Sequence, residues 1–391
     1  MKKSFAAILV SVLFLLGLGL VMLYSASYPY AQKASLCQGD LYWFVKRQII
    51  WGVIGLVGLL IATKLDYNLW VKVAWVFWIT AFIMLVLVLV PGFGMKINGA
   101  RRWLKPGFQP SELGKVAVIF TLAWCLDRWR VSIQNIRFRD CIRFKQKFSD
   151  LAKGFFLPMG VTGMIVLPIM CETDVGTSVL IGVVGLCMML LGGVRWWLVL
   201  PSYGVAGLVV FEYLCHDPVR WKRITDIGMD IQQMQAKAAF ALGGIKGVGL
   251  GLSRVKEHYL PLAFSDFIAP IIGEELGLGW MIAMLLAFMI LIAAGVYASS
   301  RAREHAGYLM GMGLITLIGL QALINLAVVT SCMPNKGMPL PFISYGGTDL
   351  CVLLVCVGVL LSIARHADTS EPASSPARRA TNPFKARTLQ G

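Results

Sequence analysis

The stretch FAAILVSVLFLLGLGLVML, residues 5–23, contains no charged side chain and only one hydroxyl. As a helix rising about 1.5 Å per residue, such a run crosses the roughly 30 Å hydrocarbon core of a bilayer. Backbone N–H and C=O groups find no water there, so the run has to be helical to satisfy them. Met1-Lys2-Lys3 before it and Ser25-Ala26-Ser27 after it would also suit a cleaved secretory signal. The apolar run is too long for a signal h-region of about 7–15 residues, so it is read as a retained first span.

Comparable blocks recur near 48–63, 70–90, 112–126, 155–171, 177–193, 196–214, 267–297, 307–330 and 348–364. The sequence therefore predicts an all-α polytopic membrane protein of about ten transmembrane helices. Composition agrees, with 58% hydrophobic and 14% charged residues. Soluble domains sit at about 45–50% apolar. Nine cysteines are scattered without a CxxC pair. They argue against zinc or iron–sulfur binding.

The net charge of +16 does not indicate nucleic acid here, because cations gather in cytoplasmic loops and beside anionic lipid. Residues 127–153 hold Arg128, Arg130, Arg137, Arg139, Arg143, Lys145, Lys147 and Lys153, which marks that loop as cytoplasmic. Ten spans then place both termini in the cytoplasm, consistent with Lys2, Lys3, Arg301 and Arg303. Residues 1–365 form the transmembrane unit. The tail 366–391, rich in Ser, Pro, Ala and basic residues, reads as disordered. The outer face receives 24–47, 91–111, 172–176, a large loop at about 215–266, and 331–347.

Several polar residues on that face do not look like loop solvation. Asp266 stands where the eighth span begins, among Phe264, Ser265 and Phe267. It either caps the helix or, partly desolvated, works as a base. Arg101, Arg102 and Lys105 flank Trp103 where cations are disfavoured, and phosphate binding would account for them. Gln109, Pro110 and Ser111 open the next helix, and Glu112 and Lys115 share one of its faces. This intramembrane pair is either functional or a structural ion pair. Ser344 and Tyr345 lie in PLPFISYGG, residues 339–347, which forms either a re-entrant segment lining a cavity or a plain turn. Glu172 and Asp174 could bind a divalent cation or cap the sixth span. Glu274 and Glu275, inside the eighth span, receive no catalytic role.

Taken together, NGARRW (98–103), FQPSELGK (108–115), DVGT (174–177), DFIAPIIGEELG (266–277) and PLPFISYGG (339–347) resemble the SEDS family (shape, elongation, division and sporulation), which includes FtsW and RodA. Phe44-Val45-Lys46-Arg47-Gln48 is a weaker match. Within the family, NGARRW with FQPSE looks most like the division branch, FtsW. The resemblance implies a ten-helix SEDS-type bundle and a peptidoglycan glycosyltransferase that polymerises lipid II onto a growing glycan strand. It implies a class B penicillin-binding transpeptidase and other divisome proteins as partners. By motif match, Asp266 falls on the family's essential aspartate and Lys115 on a lysine of its central cavity. The family commonly has Glu and His where Leu262 and Phe264 stand, and Ser-Ser where Thr348-Asp349 stand.

A pyrophosphate leaving group departs already charged and needs cations rather than an acid. The expected scheme therefore has Asp266 as base and Arg101, Arg102 and Lys115 steadying the pyrophosphate, with a divalent cation (Mg or Mn) as a candidate cofactor. Trp103, Lys105, Gln109, Ser111, Glu112, Ser344 and Tyr345 complete the expected substrate-binding set. The alternatives are a lipid II flippase and a catalytically weak scaffold for the transpeptidase.

Overall fold

Helices occupy all ten expected spans. The computed structural model describes residues 2–33, 37, 39–97, 100–104, 107–136, 149–216, 230–258, 260 and 263–367. The elements in order are α1 (Lys2–Lys33), α2 (Trp43–Lys64), α3 (Tyr67–Lys72), α4 (Ala74–Leu89), β1 (Gly94–Ile97), β2 (Ala100–Leu104), α5 (Pro110–Arg128) and α6 (Arg130–Asn135). A π-helical turn at Ala152–Phe156 then leads into α7 (Leu157–Cys171), α8 (Val175–Leu191) and α9 (Trp196–Cys215). The last are α10 (Ile231–Gly243), α11 (Val255–His258), α12 (Ile268–Ser300), α13 (His305–Val329) and α14 (Gly347–Ala367).

Six of these helices are long and apolar enough to cross a membrane, and three more are apolar but shorter. The tenth, α5, carries Glu112, Lys115, Asp127 and Arg128. It compensates by being central: α4, α7, α8, α13 and α14 all pack around it, and nearly every residue from Pro110 to Leu126 is buried. Glu112 and Lys115 are thus kept from lipid by protein, which is how membrane bundles tolerate ionisable groups, while Asp127 and Arg128 are exposed at the helix's end. Elsewhere the outer surface is apolar, with Ile49, Val53, Ile79, Ile83, Leu167 and Ile282 all exposed. Close helix contacts use small residues. Gly55 and Gly58 of α2 lie against Leu354 and Val355 of α14, and Gly358 of α14 lies against Leu59 and Ala62. Lipid-embedded helices associate through such close packing, because burial from water supplies no driving force there.

One departure from an all-helical reading is a two-stranded antiparallel hairpin, β1 with β2, between α4 and α5. It presents Arg101, Arg102 and Trp103. The second departure is inside α12. Gly277 has φ 78° and ψ −174°, a conformation essentially confined to glycine. The helix is therefore two pieces. The carbonyls freed near the break accept from the preceding loop: Val248 N–H donates to Glu274 O at 2.9 Å and Gly249 N–H to Glu275 O at 3.0 Å. Leu278 N–H donates back to Gly244 O at 3.1 Å. A Cβ on Gly277 would meet Gly247 N and Ile245 O, both backbone atoms. Gly277→Ala is expected to lower the melting temperature of the detergent-solubilised protein, at a cost of about 1–3 kcal/mol from the backbone conformation alone. An unchanged thermal profile would mean that the loop is not fastened this way.

Candidate active site

The residues singled out by sequence converge at one end of the bundle. There the 331–346 segment folds into the protein between α13 and α14. Leu340, Phe342, Ile343 and Ser344 are buried, and Gly19 of α1 lies against the backbone of Phe342 and Ile343. This is non-helical backbone enclosed by protein, the arrangement the re-entrant reading anticipates. Two amides of α13, one helical turn apart, hold it. Gln321 donates to Pro339 O at 3.2 Å, and Asn325 donates to Met338 O at 2.7 Å.

Asn325 also donates to the backbone carbonyl of Asp266 at 2.8 Å. Asp266 is thereby fixed beside the segment, its Oδ2 3.7 Å from where a Cβ on Gly337 would sit. Asp266 does not cap α12. The N-cap residue is Phe267, and no side chain bonds to the first turn. The carboxyl is half-buried, hemmed in by protein while part of the residue reaches solvent. Burial pushes its pKa up to about 6, and the negative charge of Asp230 adds to the rise. Asp230 itself caps α10, accepting from Gln232 N–H at 3.2 Å, and accepts from Asn335 of the same segment at 3.2 Å.

Deeper in the bundle, Lys115 forms ion pairs with Glu112, on its own helix, and with Asp349 of α14 at 3.2 Å. It also donates to Gln321 Oε1 at 3.2 Å. Two hydrogen bonds and the ion pair to Glu112 hold the ammonium in place. Gln321 in turn donates to both oxygens of Asp349, at 3.1 and 3.2 Å. The departure at Thr348-Asp349 thus has a structural role. Asp349 is a second carboxylate on the buried lysine, and Thr348 accepts from Gln109 N–H at 3.4 Å while donating to Gly107 O at 3.4 Å.

The other expected site residues divide by what they touch. Arg101 and Trp103 are half-buried on the hairpin. Arg102 donates to Thr173 O at 2.8 Å and Glu172 O at 3.4 Å and stands 3.8 Å from Asp174. Asp174 caps α8 by accepting from Thr177 N–H at 3.1 Å, which favours capping over metal binding at this loop. Glu172 is buried with neither carboxyl oxygen hydrogen-bonded among the described residues. Burial pushes it up to about 8, opposed by Arg102. Gln109 donates to Ser111 at 3.0 Å. The Ser344 hydroxyl accepts from Leu340 N–H at 2.9 Å, and its carbonyl accepts from Gln48 at 3.1 Å. Ser344 therefore shapes the turn. Tyr345 packs edge-on against Phe44 and Phe264. Lys105 and Leu262 lie outside the described residues. Phe264, where a histidine is common, fills an aromatic cluster with Tyr30, Phe44 and Tyr345.

Glu274 and Glu275 prove to be fasteners. Glu275 accepts from Ser25 at 2.7 and 2.8 Å, from Gly251 N–H at 3.0 Å and from Lys256 at 2.5 Å. Glu274 accepts from the Ser253 hydroxyl, and from Arg254 N–H at 2.9 Å. Together they tie the glycine-rich loop to α12 and α1. Sequence reading also passed over Gln321 and Asn325. Their spacing of four on one apolar span was the available signal.

The fold and this end define a class: a polytopic α-helical membrane protein whose polar groups gather at one mouth of the bundle. The chain belongs to the FtsW/RodA/SpoVE family, described as "Cell cycle protein", which matches residues 6–369. It is 37% identical over 371 residues to a probable peptidoglycan glycosyltransferase FtsW of Trichlorobacter lovleyi, covering 91% of this chain and 92% of that one. It is 35% identical over 370 residues to the stage V sporulation protein E of Bacillus subtilis, covering 91% and 95%. Among solved structures, a chain from a peptidoglycan synthase complex matches with a TM-score of 0.70 at 21% identity, covering 93% and 98%. The Thermus thermophilus rod shape determining protein RodA matches with a TM-score of 0.65 at 21% identity, covering 93% and 97%. These two likenesses are likenesses of fold.

Proposed function

We propose that this chain is a peptidoglycan glycosyltransferase that polymerises lipid II at the outer face of the cytoplasmic membrane, with both termini in the cytoplasm. The observation that carries the reading is Asp266. Its carboxyl caps nothing, Asn325 fixes its backbone beside the enclosed 331–346 segment, and part of the residue still reaches solvent. A carboxylate whose pKa has risen to about 6 is a stronger base than a solvated one and is still ionised at neutral pH. It would take the proton of the attacking sugar hydroxyl. Arg101 and Arg102, on the hairpin, are the cations nearest in role to a departing pyrophosphate. Arg102 would exchange its backbone carbonyl partners for phosphate oxygens. Lys115, held by Glu112, Asp349 and Gln321, is placed here as a buried counter-ion that braces the bundle.

The residues also bear on a divalent cation. Among the described residues no three His, Cys, Asp or Glu side chains gather as a metal site. Asp266, with Asp230 near, fits an ion held by one or two carboxylates plus phosphate oxygens of a substrate, not an all-protein cage. When bound, such an ion would supply neutralisation of phosphate charge.

The test is polymerisation of labelled lipid II by the purified full chain with a candidate class B transpeptidase. Glycan strands with inverted anomeric configuration are expected, because one base and one displacement leave no covalent intermediate. Retention would sink the single-displacement scheme, and movement of lipid II across proteoliposomes without any strands would favour a flippase. The rate should also fall as pH drops through about 6, where Asp266 takes up its proton. A flat profile between pH 5 and pH 8, at constant folding, would remove Asp266 from the base role.

A further inference from the structure

The glycine-rich loop between α10 and α11 carries apolar side chains that the protein leaves uncovered. Ile245 is 78% exposed, Leu252 65%, Leu250 55% and Val248 40%. The face continues onto α10, where Ile231, Met234 and Leu242 are 69%, 58% and 54% exposed. On the helix, successive members at 231, 234, 238 and 242 fall on one stripe of a 3.6-residue repeat. Lys237, Lys246 and Arg254 are exposed along its border. In water this would be an aggregation-prone patch. What covers it follows from depth.

Two helices fix that depth independently. The loop bonds to Glu274, Glu275 and Leu278, on either side of the break in α12. From there to Ser300 the helix runs about 34 Å, by itself sufficient for a hydrocarbon core of about 30 Å. In α1, the apolar run of residues 5–23 ends at Leu23, and Ser25, two residues beyond, donates to Glu275. Both place Glu275, and with it the loop, at the boundary between hydrocarbon and headgroups. The exposed apolar side chains Leu278, Trp280 and Ile282 follow immediately on α12, so the loop's apolar face joins the lipid-facing surface. Apolar side chains on an element lying in the interfacial plane with cations at its edge are the signature of interfacial membrane insertion.

We propose that α10 and the 244–252 loop form an interfacial anchor: Ile245, Leu250 and Leu252 enter the acyl region of the outer leaflet, and Lys246 and Arg254 engage the phosphates of anionic phospholipids. The occupant is the bilayer and not a protein, because the same loop is fastened at headgroup depth from two sides and the cations rim the apolar face.

The test places a photoreactive phenylalanine analogue at position 245 or 250 of the full chain, in native membranes and in proteoliposomes of 7:3 phosphatidylcholine:phosphatidylglycerol. Position 46, on the exposed and charged Lys46, serves as control. Phospholipid adducts at 245 and 250, and none at 46, are expected in both settings. A protein adduct in native membranes, or no lipid adduct in proteoliposomes, overturns the proposal, the first in favour of a docking site for a partner. In the same vesicles, Lys246→Ala with Arg254→Ala should reduce the preference for co-purifying phosphatidylglycerol over phosphatidylcholine, by about 5-fold per cation. Among the described residues, neither side chain touches Asp266 or the cations assigned to the pyrophosphate. An unchanged lipid ratio in a folded double variant overturns the phosphate contact.

Discussion

Asp266→Asn should fold normally, melt at a temperature no lower than the native chain, and make glycan strands about 10²–10⁴-fold more slowly. The amide is nearly isosteric, and the contact that positions this residue is its backbone carbonyl on Asn325, which the substitution leaves intact. What disappears is the proton acceptor. General-base contributions run to about 10²–10⁴ in rate, so turnover should fall by about that factor. The stability sign follows from linkage. Burial raises the carboxyl to about 6 in the folded state, above its unfolded value. The protonated form therefore supports folding, and that support is lost as pH rises through about 6. At neutral pH the ionised side chain weakens the fold, and replacing it with a neutral amide relieves that penalty. Polymerisation assayed beside a melting curve at pH 7.5 checks both halves. Residual strand synthesis at native rates would end the case for this residue, and a loss of folding would make Asp266 structural.

Lys115→Met should cost folded protein before it costs chemistry. The ammonium is the partner shared by Glu112, Asp349 and Gln321, with under one-tenth of any of the three ionic side chains exposed. Removing one member of a buried ion pair costs about 3–5 kcal/mol, because the charge left behind has no solvent. Here two carboxylates are left facing each other. Yield and melting temperature in detergent should both drop sharply. Adding Glu112→Gln and Asp349→Asn to the same chain should recover much of the loss, since neutral amides can hydrogen-bond among themselves and to Gln321. If Lys115→Met retained native stability while polymerisation vanished, the lysine would belong to the substrate after all, as the family resemblance implies. If the triple variant were no more stable than the single one, the cluster would not be the cause.

The spans were legible because lipid imposes one rule everywhere: a long uncharged run has no folded alternative to a helix. That rule found even α5, whose ends are charged, by its apolar middle. It says nothing of where a helix stops once outside the lipid. α1 accordingly continues to Lys33, ten residues past the end of its apolar run at Leu23. The short hairpin was invisible for the opposite reason, being too brief to show a period. Asp266, Glu112 and Lys115 stood out because ionisable residues near apolar runs are costly. Their partners did not, since Gln321, Asn325 and Asp349 come from distant helices and only the tertiary packing brings them together. Glu274 and Glu275 were noticed but unassigned. Their partners are backbone N–H groups of a glycine loop together with Ser25, Ser253 and Lys256, which only the fold brings to them. The departure at Phe264 removes a polar group from the family's pattern, and the one at Asp349 carries no role in the sequence alone. In the fold each is absorbed locally, one into an aromatic cluster and the other into the lysine's ion pairs.

The two amides on α13 have an arithmetic consequence. Gln321 and Asn325 take the carbonyls of consecutive residues, Pro339 and Met338, while α13 and α14 clamp the segment's two ends. Nothing can slide: a shift of one position would send both amides to the wrong carbonyl and carry Gly337 away from Asp266. The spacing between Val329 and Gly347 is therefore a fixed count in this chain, as unforgiving of an inserted or deleted residue as a reading frame.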